Sequence, residues 1–475
     1  MRISQIFTLN KTQAELDFVD IDVDRDTALF LDPFFLSLRK DNWSIEATRT
    51  IRSFFQTVID LIRNNQTEEA RLLFQNLHEP NATCLGLSRG NPRGKGVGNE
   101  DTCKIFESII QSRAVLTGLI HDLEDNHLFV DNFGKDKLSD MTTNIIKKHL
   151  IDYTISQCSL HNIDLTPGIP SGFFWNRRTR QWESEYTSTP VINTRSVLLV
   201  PKGIVSFCSD YTPNNYYQHF VLNFLQNEHL QMNSVLIQRR KDGTPFVTKK
   251  DIKEETPFSK EFLREFTTRN PQVLQNFKRD TETNSLSNLE LSDINVEELA
   301  THLIDELNII PAGNTDATRY HRLIVGILEL LFYPHLIYPE LEREIHDGRK
   351  RIDITFDNAA MSGIFKRLSE NMRLTCQYIF VECKNYSSDP ANPELDQLAG
   401  RFSVNRGKVG FLLCRTIEKL DLFIERCQDT YRDDRGLIIP ITDGDIVVLL
   451  RNVSNYNDDF LDRFLSERIR LIAIN

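Results

Sequence analysis

The run Tyr378-Ile-Phe-Val-Glu-Cys-Lys384 constrains this chain more than any other stretch, because an apolar segment ends by placing a carboxylate and an ammonium two residues apart. Its β-branched and aromatic residues read as a buried strand. Alternate residues of a strand share a face, so Glu382 and Lys384 project side by side while Cys383 points to the opposite face. Charges delivered to a buried face need partners, which makes this strand end a candidate site. Upstream, Leu341–Ile345, His346–Lys350 and Arg351–Phe356 read as strand, turn and strand, with Asp353 inside the second strand. Two acids and a lysine thus fall on neighbouring strands.

Such a set suits phosphodiester chemistry. The carboxylates of Asp353 and Glu382 offer hard oxygen ligands to Mg²⁺, which keeps waters in its remaining positions. The bound metal acidifies a water and offsets charge building on phosphorus, while Lys384 orients that water or stabilises the charge. The Cys383 thiol points away into the core, and its backbone carbonyl is a further metal ligand.

The order Asp353, Glu382-Cys-Lys384 resembles the PD-(D/E)XK nuclease superfamily, and the Glu-Cys-Lys form is similar to its Mrr-like restriction endonuclease branch. The resemblance covers residues 295 to 475 and departs from the family pattern in having Ile352, not proline, before Asp353. It implies an α/β fold with a restriction-endonuclease-like α-β-β-β-α-β core around a central mixed sheet. It also implies Mg²⁺-dependent hydrolysis of DNA, with Mn²⁺ as a substitute, a role in bacterial restriction or anti-phage defence, and a homodimer or higher homo-oligomer for double-strand cuts. By position, the resemblance points to Glu329 as an acid reaching the metal from the first core helix. It also points to Gln397, on the helix begun by Pro393, as a further catalytic residue. Arg401, one turn later, is placed to touch phosphate.

The local patterns agree with this order. Arg319 to Phe332 is an apolar helix in which Glu329 stands among Val325, Phe332 and Tyr333; a plain helix-edge glutamate is the other reading. After the Glu382 strand come a helix from Pro393, a buried strand Val409–Cys414, a helix from Ile417, a strand Gly436–Pro440 and a closing helix from Asp443. The polar tract Asp280 to Asp293 marks a boundary, giving residues 1–285 as a mainly helical α+β domain for sensing, targeting or assembly, and 286–475 as the nuclease domain.

Within the first part, Ser44 to about Leu77 reads as a helical stretch, and Ser139 or Asp140 as the cap of a helix starting at Met141. Cys158 and His161 have metal-like spacing but lack further ligands, so packing explains them better. The stretch Leu85 to Gly98 holds five glycines with Arg89, Arg93 and Lys95, and reads as a surface loop, a phosphate contact or a protein interface. It is not a Walker loop, since no Gly-Lys-Ser/Thr follows. A second basic cluster, Arg239 and Arg240 before Asp242-Gly243, reads as a charged hairpin or a DNA-backbone patch.

A formal charge of −11 argues against indiscriminate coating of nucleic acid, so DNA contact has to come from such local patches. The eight cysteines show no CxxC pair and no apolar run approaches membrane-span length, so a cytoplasmic protein without membrane contact is expected. Two other readings stay open: a scaffold that binds nucleic acid or a ligand without cutting, and a nuclease for RNA or branched DNA. The first part is where a partner protein or trigger would act.

Overall fold

Five apolar runs of the C-terminal part pair into one mixed sheet: β1 (Leu336–Ile345), β2 (Lys350–Asn358), β3 (Tyr378–Lys384), β4 (Val409–Cys414) and β5 (Leu437–Thr442), in that spatial order. β1–β2 and β2–β3 are antiparallel, β3–β4 and β4–β5 parallel. The computed structural model describes residues 1–24, 27, 29–77, 80, 82–85, 106–110, 123–131, 133–206, 211–284, 296–345, 350–453 and 458–474. β3 and β4 are central and buried along nearly their whole length, which is why they read as continuous apolar runs. β5 tolerates Pro440 because it is an edge strand and can do without one amide donor.

Helices cover this sheet. The long apolar helix is α4 (Ala317–Phe332), preceded by α3 (Val296–Ile309). Helix α5 (Gly363–Glu370), lying between β2 and β3, is absent from the sequence expectation. Helix α6 (Asn392–Ala399) begins with Pro393 in its first turn, and Glu394 accepts the Ala391 N–H at 2.8 Å. It packs close on β4 because Gly410 has no side chain: a Cβ there would come within 2.9 Å of Phe380 O and 3.2 Å of Leu398 and Phe402. Helices α7 (Leu420–Arg432), α8 (Asp443–Arg451) and α9 (Asp458–Ala473) complete the layers. The molecule is thus a mixed α/β protein with a five-stranded mixed sheet.

The N-terminal part is helical with short two-stranded ribbons. Helix α1 (Asn42–Arg63) is capped by Asp41, whose Oδ1 accepts the Ser44 N–H at 2.8 Å. The helical stretch expected to about Leu77 consists of α1 and a second helix, Thr67–Phe74, with Asn65 between them at φ 59°. The cap expected at Ser139 or Asp140 also differs: the helix starts earlier, at Lys135 after extended Gly134. The Ser139 hydroxyl instead accepts the Leu31 N–H at 3.0 Å. Helix α2 (Lys147–His161) ends with Cys158 in the core and His161 half-buried. Burial pushes the Cys158 thiol up to about 12, and it pushes His161 down to about 3. The His161 ring stands edge-on to Phe18, 5.6 Å away.

Two apolar cores result, one built from residues before 285 and one from residues after 295. A few residues cross over. Ile337, Tyr338 and Ala359 join the first core, Ala14 and Leu160 the second. Tyr338 does so at a bulge in β1, in left-handed conformation at φ 53°. That conformation is costly for an aromatic residue, and here it aims the Tyr338 N–H at Asp17 Oδ1, 3.1 Å away. Asp17 Oδ2 also accepts the Tyr153 hydroxyl at 2.7 Å.

Candidate active site

The C-terminal end of β3 carries Glu382 and Lys384 on one face, as alternation requires. Lys384 Nζ donates to Glu382 Oε1 at 2.8 Å and to Gln397 Oε1 at 3.1 Å. Gln397 Nε2 donates back to Glu382 Oε1 at 2.5 Å. Helix α6 therefore supplies a side chain that ties both charges of the strand together. β2 runs antiparallel beside β3 with Ile354 opposite Val381, so the next position sets Asp353 beside Glu382. Asp353 is half-buried, and its Oδ2 accepts the Cys383 N–H at 2.9 Å.

Glu382 is wholly buried and its second oxygen faces Arg401 Nη1, just beyond α6. Arg401 was expected on phosphate; the structure places its guanidinium against Glu382, at 6 % exposure. Burial pulls Arg401 below its ordinary value, and the Asp353 carboxylate opposes that fall, so it lies within reach of both acids. Two cations and an amide thus surround one buried carboxylate. That arrangement offsets the cost of desolvating it.

The other expectations fare differently. The Cys383 thiol is buried on the opposite face, its ionisation pushed far up by burial and next by Asp353, which leaves it unreactive. Its carbonyl, expected as a metal ligand, lies 3.2 Å from His321 Nε2 in the first turns of α4. Glu329 is not brought to this site. It sits near the opposite end of α4, about 12 Å along the axis from His321 at 1.5 Å per residue. Its Oε2 is paired with Lys202 Nζ at 3.0 Å. The sequence showed a carboxylate among apolar residues; its partner lies 127 positions away.

Arg239 and Arg240 lie on an exposed hairpin, Gln238–Arg239 paired with Pro245–Phe246, turning at Gly243 with φ 84°. Their contacts are local: Arg239 donates to Gly243 O at 3.2 Å, and Arg240 lies over the Phe246 ring at 5.5 Å. No described contact joins them to Glu382. Arg89, Arg93 and Lys95 lie outside the described residues.

Sequence reasoning missed His321 and the support beneath it. Tyr320 donates to Asp443 Oδ1 at 2.8 Å, and Arg415 Nε pairs with Asp443 Oδ2 at 3.0 Å. Burial lifts Asp443 to about 6 against the pull of both partners. Asn385 fixes the loop after β3 by donating to Pro311 O and Gly313 O at 3.0 and 2.8 Å. A Tyr-His pair opening an apolar helix was the available signal.

The donor set fits a hard divalent cation. Asp353, Glu382 and the Cys383 carbonyl could hold Mg²⁺, with Glu382 Oε2 shared between the metal and the Arg401 guanidinium that it now faces. Among the described residues no group of three or more His, Cys, Asp or Glu side chains assembles, so this is not an all-protein cage. Magnesium does not require one, since it retains waters.

Residues 8–212 match a family described as a domain of unknown function (DUF8370). That match lies wholly within the N-terminal part. No curated protein and no solved structure matches the chain. Among the described residues no helix is long and apolar enough to cross a membrane.

Proposed function

We propose that the chain is a metal-dependent endonuclease that hydrolyses DNA phosphodiester bonds, with residues 286–475 as a PD-(D/E)XK nuclease domain. The observation that carries this reading is the convergence of Asp353, Glu382, Lys384 and Gln397, from β2, β3 and α6, at one end of a mixed sheet. The order of helices and strands after residue 295 is compatible with the restriction-endonuclease-like core, with α5 as an insertion.

When bound, Mg²⁺ would supply Lewis acidity at the scissile phosphate and a more acidic water. The chain's own residues do the rest. Asp353 is oriented by the Cys383 N–H, Glu382 by Gln397, and the Lys384 ammonium is fixed between Glu382 and Gln397, where it can hold an attacking water or meet negative charge on phosphorus. Arg401 already faces the acids and can take a phosphate oxygen once a metal shares Glu382. Restriction or anti-phage defence in the cytoplasm, with two copies acting on two strands, is the setting that the resemblance favours.

Plasmid cleavage with Mg²⁺ tests the reading. Lys384→Ala and Asp353→Ala are each expected to lose about 10²-fold or more of the rate. Cleavage by both variants at the parent rate sinks it. The close engagement of Glu382 by two cations favours a second reading, a domain that binds nucleic acid without cutting. Duplex binding without cleavage at any Mg²⁺ or Mn²⁺ concentration would select it. Equal assays on RNA, single-stranded and branched DNA decide the substrate, which fold does not.

A further inference from the structure

Two residues past Lys384 the chain puts an aromatic ring in the open. Tyr386 is 38 % exposed, and Ser387 and Ser388 after it are exposed as well. The loop that carries them is fixed at both ends. Buried Asn385 holds Pro311 O and Gly313 O through its side chain, and its own carbonyl accepts the Gly313 N–H at 2.7 Å. At the far end Asp389 accepts the Glu418 and Lys419 N–H groups at 2.8 and 3.0 Å, and Pro390 is buried. A tyrosine held out on a loop anchored in this way is presented to solvent by the fold. Burying a large ring is favourable, so its exposure beside a candidate site calls for an occupant.

The position of the ring relative to the site is set by Lys384, whose Nζ lies 5.8 Å from its centroid. A phosphate met by Lys384 brings its own nucleoside within reach of that ring. From Ser387 onward the same loop forms one wall of a trough of about 510 Å³, and Lys419, Leu422 and Arg426 at the start of α7 form the other. That volume falls within the range of about 300 to 1,000 Å³ found for small-ligand sites.

The charges of the trough are unequally engaged. Asp389 is committed to the Glu418 and Lys419 amides, which hold its carboxyl below the ordinary value. Glu418 is exposed and is the one acid that opposes an anion there. Among the described residues Lys419 and Arg426 make no salt bridge, so both are available to phosphate. An exposed ring followed by a groove with available cations is the arrangement that holds unpaired nucleic acid, where bases stack on rings and cations track the backbone. In a continuous duplex both faces of each base are covered by its neighbours, so a ring can stack only on a base that has left the stack.

From this geometry we infer that Tyr386 is a stacking platform for an unpaired base beside the scissile phosphate, and that the strand continues into the trough past Lys419 and Arg426. The substrate class is then single-stranded DNA, or an unpaired stretch at a fork or flap, in preference to continuous duplex. The inference rests on the nuclease reading for the place of the scissile phosphate and names the substrate of that same site. Tyr386 acts by positioning the strand and takes no part in the chemical step.

Fluorescence anisotropy tests it on the full chain carrying Asp353→Asn, so that DNA binds uncut. The probes are a labelled oligothymidylate, a duplex of the same length and an abasic strand of the same length. The single strand is expected to bind more tightly than the duplex. Adding Tyr386→Leu should weaken the single strand about tenfold or more and leave the abasic strand within about twofold, because only the base has been lost as a partner. Tyr386→Phe keeps the ring and should stay within about twofold on every probe. Glu418→Gln removes the opposing acid and should tighten the single strand several-fold, a gain that misfolding cannot imitate. Unchanged single-strand affinity in Tyr386→Leu overturns the inference. So does an equal loss on the abasic strand, tighter binding of the duplex, or no gain in Glu418→Gln. Plasmid cleavage by Asp353→Asn at the parent rate breaks the nuclease reading instead, and is scored separately from these affinities.

Discussion

The molecule holds two buried lysine–glutamate pairs of nearly equal length, Lys384–Glu382 at 2.8 Å and Lys202–Glu329 at 3.0 Å, and they are built for opposite ends. Glu382 is over-supplied: Lys384, Gln397 and Arg401 surround it, and half-buried Asp353 opens beside it. One partner can be withdrawn, or shared with a substrate, without stranding the charge. Among the described residues Glu329 has Lys202 as its one hydrogen-bonded counter-ion, with buried Lys11 acting on it through space, and its other oxygen accepts no hydrogen bond. Both side chains of the pair are buried. A buried ion pair is therefore not in itself a site; spare partners and a half-open neighbour are what separate the reactive arrangement from the structural one.

The largest expected effect breaks the comparison directly. Lys384→Met should lose about 10²-fold or more in Mg²⁺-dependent cleavage while leaving the denaturation midpoint near that of the parent, because Arg401 still neutralises Glu382 and Gln397 still donates a hydrogen bond to it. Lys202→Met should do the reverse, keeping cleavage per folded molecule. Urea denaturation should show it destabilised by about 3–5 kcal/mol at pH 8.5, the range for stripping one partner from a buried pair. If Lys202→Met abolishes cleavage in a fully folded protein, the junction belongs to the catalytic apparatus and the contrast fails.

The next effect concerns pH. Burial pushes the Glu329 carboxyl up to about 7 in spite of Lys202. Between its ordinary value near 4.5 and about 7 the folded protein keeps a proton that the unfolded chain has released, so this group's contribution to stability declines as pH rises through that window and is level above it. The decline is on the order of 3 kcal/mol. Glu329→Gln should flatten the stability curve between pH 5 and 7, measured by urea titration. Asp17 is raised by burial too, so part of the slope should remain. For the same reason the penalty of Lys202→Met should shrink at pH 6, where Glu329 takes up a proton instead of remaining an unpaired ion.

What could be read from the sequence follows from these differences. Glu382 and Lys384 were legible because strand alternation is local, and Gln397 because Pro393 sets where α6 begins. Asp353 followed from a strand-turn-strand pattern beside them. Glu329 was legible as buried, but not as the partner of Lys202, because a contact between distant segments leaves no periodic trace. The fold boundaries failed in the same way. Ser139 looked like a helix cap until its hydroxyl met Leu31 N, from a segment more than a hundred residues earlier. Helix α5 was not expected, although its buried Ile364, Phe365 and Leu368 fall at helical spacing.

A smaller effect tests how closely α6 must approach the sheet. Gly410→Ala places a Cβ 2.9 Å from Phe380 O, with Leu398 and Phe402 at 3.2 Å. Backbone cannot yield easily, so α6 should shift outward and carry Gln397 away from Lys384. A cost of about 1–3 kcal/mol in stability and a reduced cleavage rate are expected, checked by denaturation and by single-turnover assay. A rate equal to the parent would mean that Gln397 is a helix-surface residue.

The smallest effect bears on Arg401. Its guanidinium and a divalent cation would compete for Glu382 Oε2, so removing the charge should ease metal entry even as it removes a phosphate contact. Arg401→Gln is expected to lower the Mg²⁺ concentration for half-maximal cleavage by a few-fold, about 1 kcal/mol in metal binding, and to raise the half-saturating DNA concentration. The two shifts have opposite signs, which a general loss of folding cannot produce. If both constants rise together, Arg401 supports the metal site instead of competing with it. Glu382 would then resemble Glu329 more closely, as an anion whose partners cannot be spared.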